Sequence, residues 1–202
     1  MLDLSAIEQK IKDAIAGLKR PYIAEIKTYG GEFDDDLGLD QVVRRFPAVW
    51  VTFSGAPSVK PLGAKKWHID LVYTVLVGAR SIRSEESARH GTLVDGQMVA
   101  VGSFQLIRDV VCALAGQTFG LSINQMQPGR IKTIFNTRTN SQSVSVLSMD
   151  WHTYVEVHAV DFEALMAAWL DVLSLDYIFK PHIGTDASDV VDMAASREES
   201  TQ

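Results

Sequence analysis

Five polar side chains, His68, Asp70, Asp150, His152 and Glu156, fall at alternate positions of two strand-like segments. Alternation puts each set on one face of its strand. If the two strands are neighbours, imidazoles and carboxylates share a surface, and three converging ligands of these types can hold Zn²⁺ or Mn²⁺. No HxxEH or HxH spacing fixes ligands locally, so a solvated sheet face is the simpler reading. A metal-dependent enzyme or metal-binding module using His68, Asp70, Asp150 and His152 is the alternative.

Other reactive residues form weaker sets. Cys112 with His152 or His158 could make a nucleophile and base, but Cys112 stands among Val110, Val111 and Ala113 in a helical pattern. That context predicts a buried thiol behaving as a small hydrophobe. The run Glu32, Asp34, Asp35, Asp36 resembles part of an oxygen-rich cation loop, yet it lacks the glycine and terminal Glu of a calcium loop, so solvated charge is the expectation. Gly30-Gly31 precedes acids, not a helix start with Lys-Ser or Lys-Thr, which gives no phosphate cradle. No G-x-S-x-G elbow occurs. Catalytic residues, cofactor and metal are therefore all expected to be absent.

The elements that must position these residues can be read from hydrophobic periodicity. Leu4, Ile7, Ile11, Ile15 and Leu18 recur at helical steps, and Pro21 ends that helix. Ile23 to Thr28 is extended, and Gly30-Gly31 makes a turn. Ala48 to Phe53 reads as a strand bounded by Pro47 and Gly55, followed by a loop holding Pro57, Pro61 and Gly63. The strongest strand is Trp67 to Val77, with Trp67, Ile69, Leu71, Tyr73, Val75 and Val77 on one face. Ser81 to Gly102 reads as a long polar loop. A helix starts at Ser103 as N-cap, burying Phe104, Ile107, Val111 and Leu114 and ending at Gly116 or Gly120.

Arg130 to Phe135 reads as a strand and Asn136 to Ser141 as a turn. Val144 to His158 is a long strand with Leu147, Met149, Trp151, Val155 and Val157 on its apolar face. Asp161 can cap a last helix, Phe162 to Leu173, after which the chain turns polar. The expected fold is α+β, a mostly antiparallel sheet with helices packed on it, because the strand links around Gly55 and Asn140 lack crossover helices. Expected divisions are 1–158 for the domain, 159–183 for a helical extension and 184–202 for a polar, disordered tail. Trp50, Trp67 and Trp151 are expected in the core.

The length of 202 residues suits one domain with an appendage, and the net charge of −6 argues against a general phosphate-binding surface. A single cysteine permits no internal disulfide. The first residues lack a signal-peptide pattern and no long apolar run occurs, so the expectation is synthesis in a host cytoplasm without a membrane. In the loop Arg80 to Gly102, Arg80, Arg83 and Arg89 alternate with Glu85 and Glu86. That balance suits salt bridges to a protein partner better than DNA, against the plainer reading of a solvated loop.

Four pieces carry a resemblance: Tyr29-Gly30-Gly31-Glu32; Arg44-Arg45-Phe46-Pro47-Ala48-Val49-Trp50-Val51; the strand Trp67 to Val77 with Gly78-Ala79-Arg80; and Pro128-Gly129-Arg130. In this order and spacing the chain resembles the Mu-like family of contractile-tail phage (or prophage) tail terminator and tail completion proteins, over Leu4 to Glu156. The resemblance implies a tail-terminator-like subunit assembled into a ring, a hexamer. The ring closes the head-proximal end of the tail tube, stops tube polymerisation and offers the head–tail joining surface. Implied partners are further copies of the chain, the tail tube protein and a neck or head-completion protein. DNA passes through the lumen without specific binding, and the protein ends in the virion tail. Another phage neck or baseplate adaptor on a similar fold is a further alternative.

Overall fold

Sixteen-residue strands at the centre of the molecule organise everything else. The computed structural model describes residues 2–31, 39–94, 97–139 and 142–159. The elements are α1 (Leu4–Gly17), β1 (Glu25–Thr28), α2 (Leu39–Arg44), β2 (Ala48–Gly63), β3 (Lys66–Ser81), α3 (Glu85–His90), β4 (Thr92–Val94), β5 (Gln97–Ala100), α4 (Ser103–Leu114), β6 (Gln127–Thr139) and β7 (Gln142–His158). Met1–His158 forms one compact unit. The readings of Glu32 to Asp36, of the helix Phe162 to Leu173 and of the polar tail lie outside the described residues.

The main sheet has the order β1-β2-β3-β7-β6. Only β1–β2 is parallel; β2–β3, β3–β7 and β6–β7 are antiparallel. The fold is α+β with a mostly antiparallel sheet. On one face α1 buries Ile7, Ile11 and Ile15 beside Leu106, Val110 and Leu114 of α4, against Val49, Val51, Leu71, Tyr73, Val75, Val77, Met149 and Trp151. Each fully buried isoleucine or leucine here contributes about 2 kcal/mol of transfer free energy. Asp3 starts α1, its carboxylate accepting the Ala6 N–H at 2.9 Å. The opposite face carries a smaller cluster in which Val43 and Phe46 cover Trp50, Leu76, Val144 and Val146.

Several expectations are corrected. The residues after Phe53 are not a loop: β2 runs on to Gly63 and turns through Ala64 and Lys65, at φ 61°, into β3. Register shifts flank Gly55, Pro57 and Leu62, and bulges or unpartnered edges are the places where a strand tolerates proline. Ser81 to Gly102 holds α3 and the β4–β5 hairpin. Asn136 to Thr139 continues β6 instead of turning.

In α4 the N-cap is Gly102, and Ser103 meets the Ser145 hydroxyl at 2.9 Å in the interior. The buried stripe is Leu106, Ile107, Val110, Ala113 and Leu114, while Phe104 is 46% exposed. Cys112, one step off that stripe, is exposed, not buried. Trp50 and Trp151 are in the core, whereas Trp67 is 37% exposed.

Candidate functional site

Register brings the polar residues of β3 and β7 to one face, as their alternation required. His68 stands opposite Glu156, Asp70 opposite Tyr154, Val72 opposite His152 and Thr74 opposite Asp150. They do not converge, however. Asp150 sits four residues along the strand from Asp70, about 13 Å at strand rise. His152 lies against Gly129 of β6, its Nε2 2.5 Å from where a Cβ would stand. Among the described residues no group of three His, Cys, Asp or Glu side chains is placed to hold a metal ion.

Each carboxylate has instead found a cation or a hydrogen-bond donor. His68 Nε2 meets Asp70 Oδ1 at 2.8 Å while its ring stacks on Tyr154 at 4.2 Å, and Lys60 approaches Asp70 at 3.9 Å. The His68 hydrogen bond is the main reason the Asp70 carboxyl titrates below its ordinary range. Lys66 holds Glu156 at 2.5 Å and lowers its carboxyl in the same way. Thr74 donates to Asp150 at 2.8 Å, and Lys132 stands 3.7 Å from it. Cations so placed compete with any metal for the same oxygens. Cys112, on the helix layer, is separated by the sheet from His152 and His158, which occupy the opposite face.

The second half of β2 is the feature sequence reading missed. From Ser54 to Gly63 it is largely exposed, whereas Ala48 to Val51 is buried. With Lys66–Asp70 of β3 and Tyr154–His158 of β7 it forms a three-stranded arm, at whose base Ile69, Val155 and Val157 still pack against the core. Register pairs Val59 with Ile69 and Val155, and Pro61 with Trp67 and Val157, so these six share the core-side face. Lys60, His68 and Glu156 take the other. At the tip apolar side chains lack cover: Val59 is 57% and Leu62 50% exposed. Alternation on both strands was the signal, masked by Gly55, Pro57, Pro61 and Gly63.

Of the suspected partner residues, Arg80 lies near the end of β3 opposite Val144, and Arg83, Glu85 and Glu86 are exposed at the start of α3. Ser84 caps that helix through the Ser87 N–H at 3.1 Å. Arg89 is different. It is half-buried, its Nε enclosed without a hydrogen-bond partner, and its carbonyl oxygen would be 2.1 Å from a Cβ on Gly102. Arg89 thus belongs to the seam between α3 and α4.

Residues 3–156 match the model of a protein family described as Bacteriophage Mu, Gp37. The chain belongs to this family. The match ends two residues before β7 does, so the Mu Gp37 family corresponds to the α+β unit. No curated protein matches the chain. Membership makes it a Mu-like phage protein. Among the described residues, no helix of this Gp37-family chain is long and apolar enough to cross a membrane.

The family assignment gives the resembling motifs physical content. Phe46, in the second, covers Gly78, in the third, and Gly129, in the fourth, receives the His152 ring. These contacts hold the sheet faces together.

Proposed function

We propose that the chain is a virion structural protein that acts as a tail terminator. It assembles into a ring, a hexamer, at the head-proximal end of the tail tube, stops tube polymerisation and presents the surface that joins tail to head. Membership of the Mu Gp37 family supports a phage assembly role. The observation that carries the reading is the arm. Its apolar Val59, Leu62 and Trp67 stand uncovered at its tip, which suits contact with another protein and not turnover of a small molecule. The paired carboxylates on its other face favour structure over a metal-dependent reaction. The ring works without a cofactor, and DNA passes through without specific contacts.

Electron microscopy of tails assembled without this protein tests the proposal. Tubes longer than wild type are expected. Tubes of normal length that fail to join heads would assign a neck adaptor, and failure at the distal end a baseplate role.

A further inference from the structure

The five-stranded sheet leaves two long edges open. On one side β1 pairs with β2 only over Ala48–Val51, so among the described residues no strand lies beside Ser54–Gly63. On the other, β6 ends the sheet over Gln127–Thr139. Both edges carry exposed apolar side chains, Val59 and Leu62 on the first, Ile131 and Ile134 on the second. A long open edge with apolar side chains is a template for a further strand, and so for aggregation.

The backbone of the first edge is badly suited to that role. Pro61 stands opposite Trp67 in the ladder and has no N–H, so theirs is a pair of the type without hydrogen bonds. Alternation then turns the Lys60 N–H inward to His68 and the Val59 N–H outward. Pro57 stands in the bulge where it and Ala56 oppose Leu71, and it removes the next donor along. A strand laid on residues 57 to 61 would meet one outward donor, Val59, with a proline ring on either side. The β6 edge is interrupted differently, by register shifts between Pro128 and Ile131 and between Thr133 and Phe135. We propose that Pro57 and Pro61 are a device against strand pairing, closing the edge of the arm to a strand of another copy. The apolar side chains of the arm can then stay exposed for contact without seeding a fibre.

The closure does not depend on the ring, and its test uses the full-length chain. Replacing both prolines with a strand former, P57T/P61T, should cause loss of protein from solution as thioflavin-binding fibres under conditions where wild type stays dissolved. At low concentration the melting temperature of this variant should be no lower than that of wild type. Adding Val59→Lys in the same background should restore solubility, because a charge on the edge blocks pairing. In the wild-type chain, hydrogen exchange read by NMR should find the Val59 amide exchanging many times faster than that of Lys60. A double variant as soluble as wild type, fibres that Val59→Lys does not relieve, or a Val59 amide as protected as that of Lys60 would each overturn the device.

Discussion

The Phe46 ring lies over Gly78 so closely that a Cβ there would stand 2.5 Å from its Cζ. Phe46 also meets Trp50 edge-on at 5.7 Å, so one aromatic side chain seals the smaller core and fixes where β2 crosses β3. Gly78→Ala should therefore destabilise the protein by about 1–3 kcal/mol. Urea unfolding checks this: a lower midpoint at unchanged slope is expected. Combining it with Phe46→Leu, which shortens the ring's reach, should cost less than the two changes summed. Strict additivity would mean that the contact is not what excludes a side chain at position 78.

Asp109 ties α4 to the segment after α1. Its carboxylate is buried, accepts the Tyr22 hydroxyl, meets Arg20 at 3.1 Å and accepts from Gln105 at 3.3 Å. Asp109→Ala should cost about 2–3 kcal/mol, because the donors gathered around it lose their acceptor, and Tyr22→Phe about 1 kcal/mol. In the Asp109→Ala background Tyr22→Phe should cost almost nothing more. An undiminished second loss would show that the hydroxyl works through another partner.

Stability should fall in acid. Lys27 beside Glu25, His68 beside Asp70 and Lys66 beside Glu156 lower these carboxyls relative to the unfolded chain. Groups with depressed folded values contribute stability above their unfolded pKa, about 4, and lose it as pH falls through the folded values. Thermal melts from pH 6 to pH 2 should show this decline, and Lys66→Met should make it shallower. Tyr22 acts in the opposite range. Burial and the Asp109 carboxylate raise its hydroxyl, so its contribution holds below about pH 10 and is lost as pH rises through the raised value. A flat acid limb would contradict the assigned pairs.

Chelation should change nothing. With Asp70, Asp150 and Glu156 already engaged, EDTA should leave the melting temperature where it is, and elemental analysis of protein purified without chelator should find no stoichiometric metal. One Zn²⁺ or Mn²⁺ per chain would restore the metal-site alternative on this sheet face.

Pulled at residues 65 and 82, a subunit should resist until it fails in one step, since β3 is bonded to β2 from Lys66 to Gly78 and to β7 from Lys66 to Ser81. Force spectroscopy showing gradual low-force peeling would contradict this.

Legibility in the sequence followed the physical range of each signal. The apolar alternation of β3 from Ile69 to Val77 and of β7 from Leu147 to Val157, and the stripe of α1, were plain because period and burial agree over many residues. The outer half of β2 was hidden because its prolines and glycines punctuate loops and bulged edges alike. In α3, six residues are too few to show a helical period. In α4 every third or fourth residue is apolar on more than one face, so Phe104 and Val111 look as suited to burial as Leu106 and Val110, which the fold buries. The shared polar face was foreseeable once β3 and β7 were neighbours. Its dispersal into lysine and hydroxyl pairs was not, because that depends on register and on side chains from β2 and β6.

Strand β3 begins at the arm tip and ends beside Ile82, gripped on both flanks along the way. Load applied through those two ends runs along the strand, while the ladder bonds lie across it. Bonds loaded in shear must give way together, whereas bonds at a peeled edge open singly. A pull along β3 is therefore shared by both ladders at once, and the sheet resists most in the direction of that one strand.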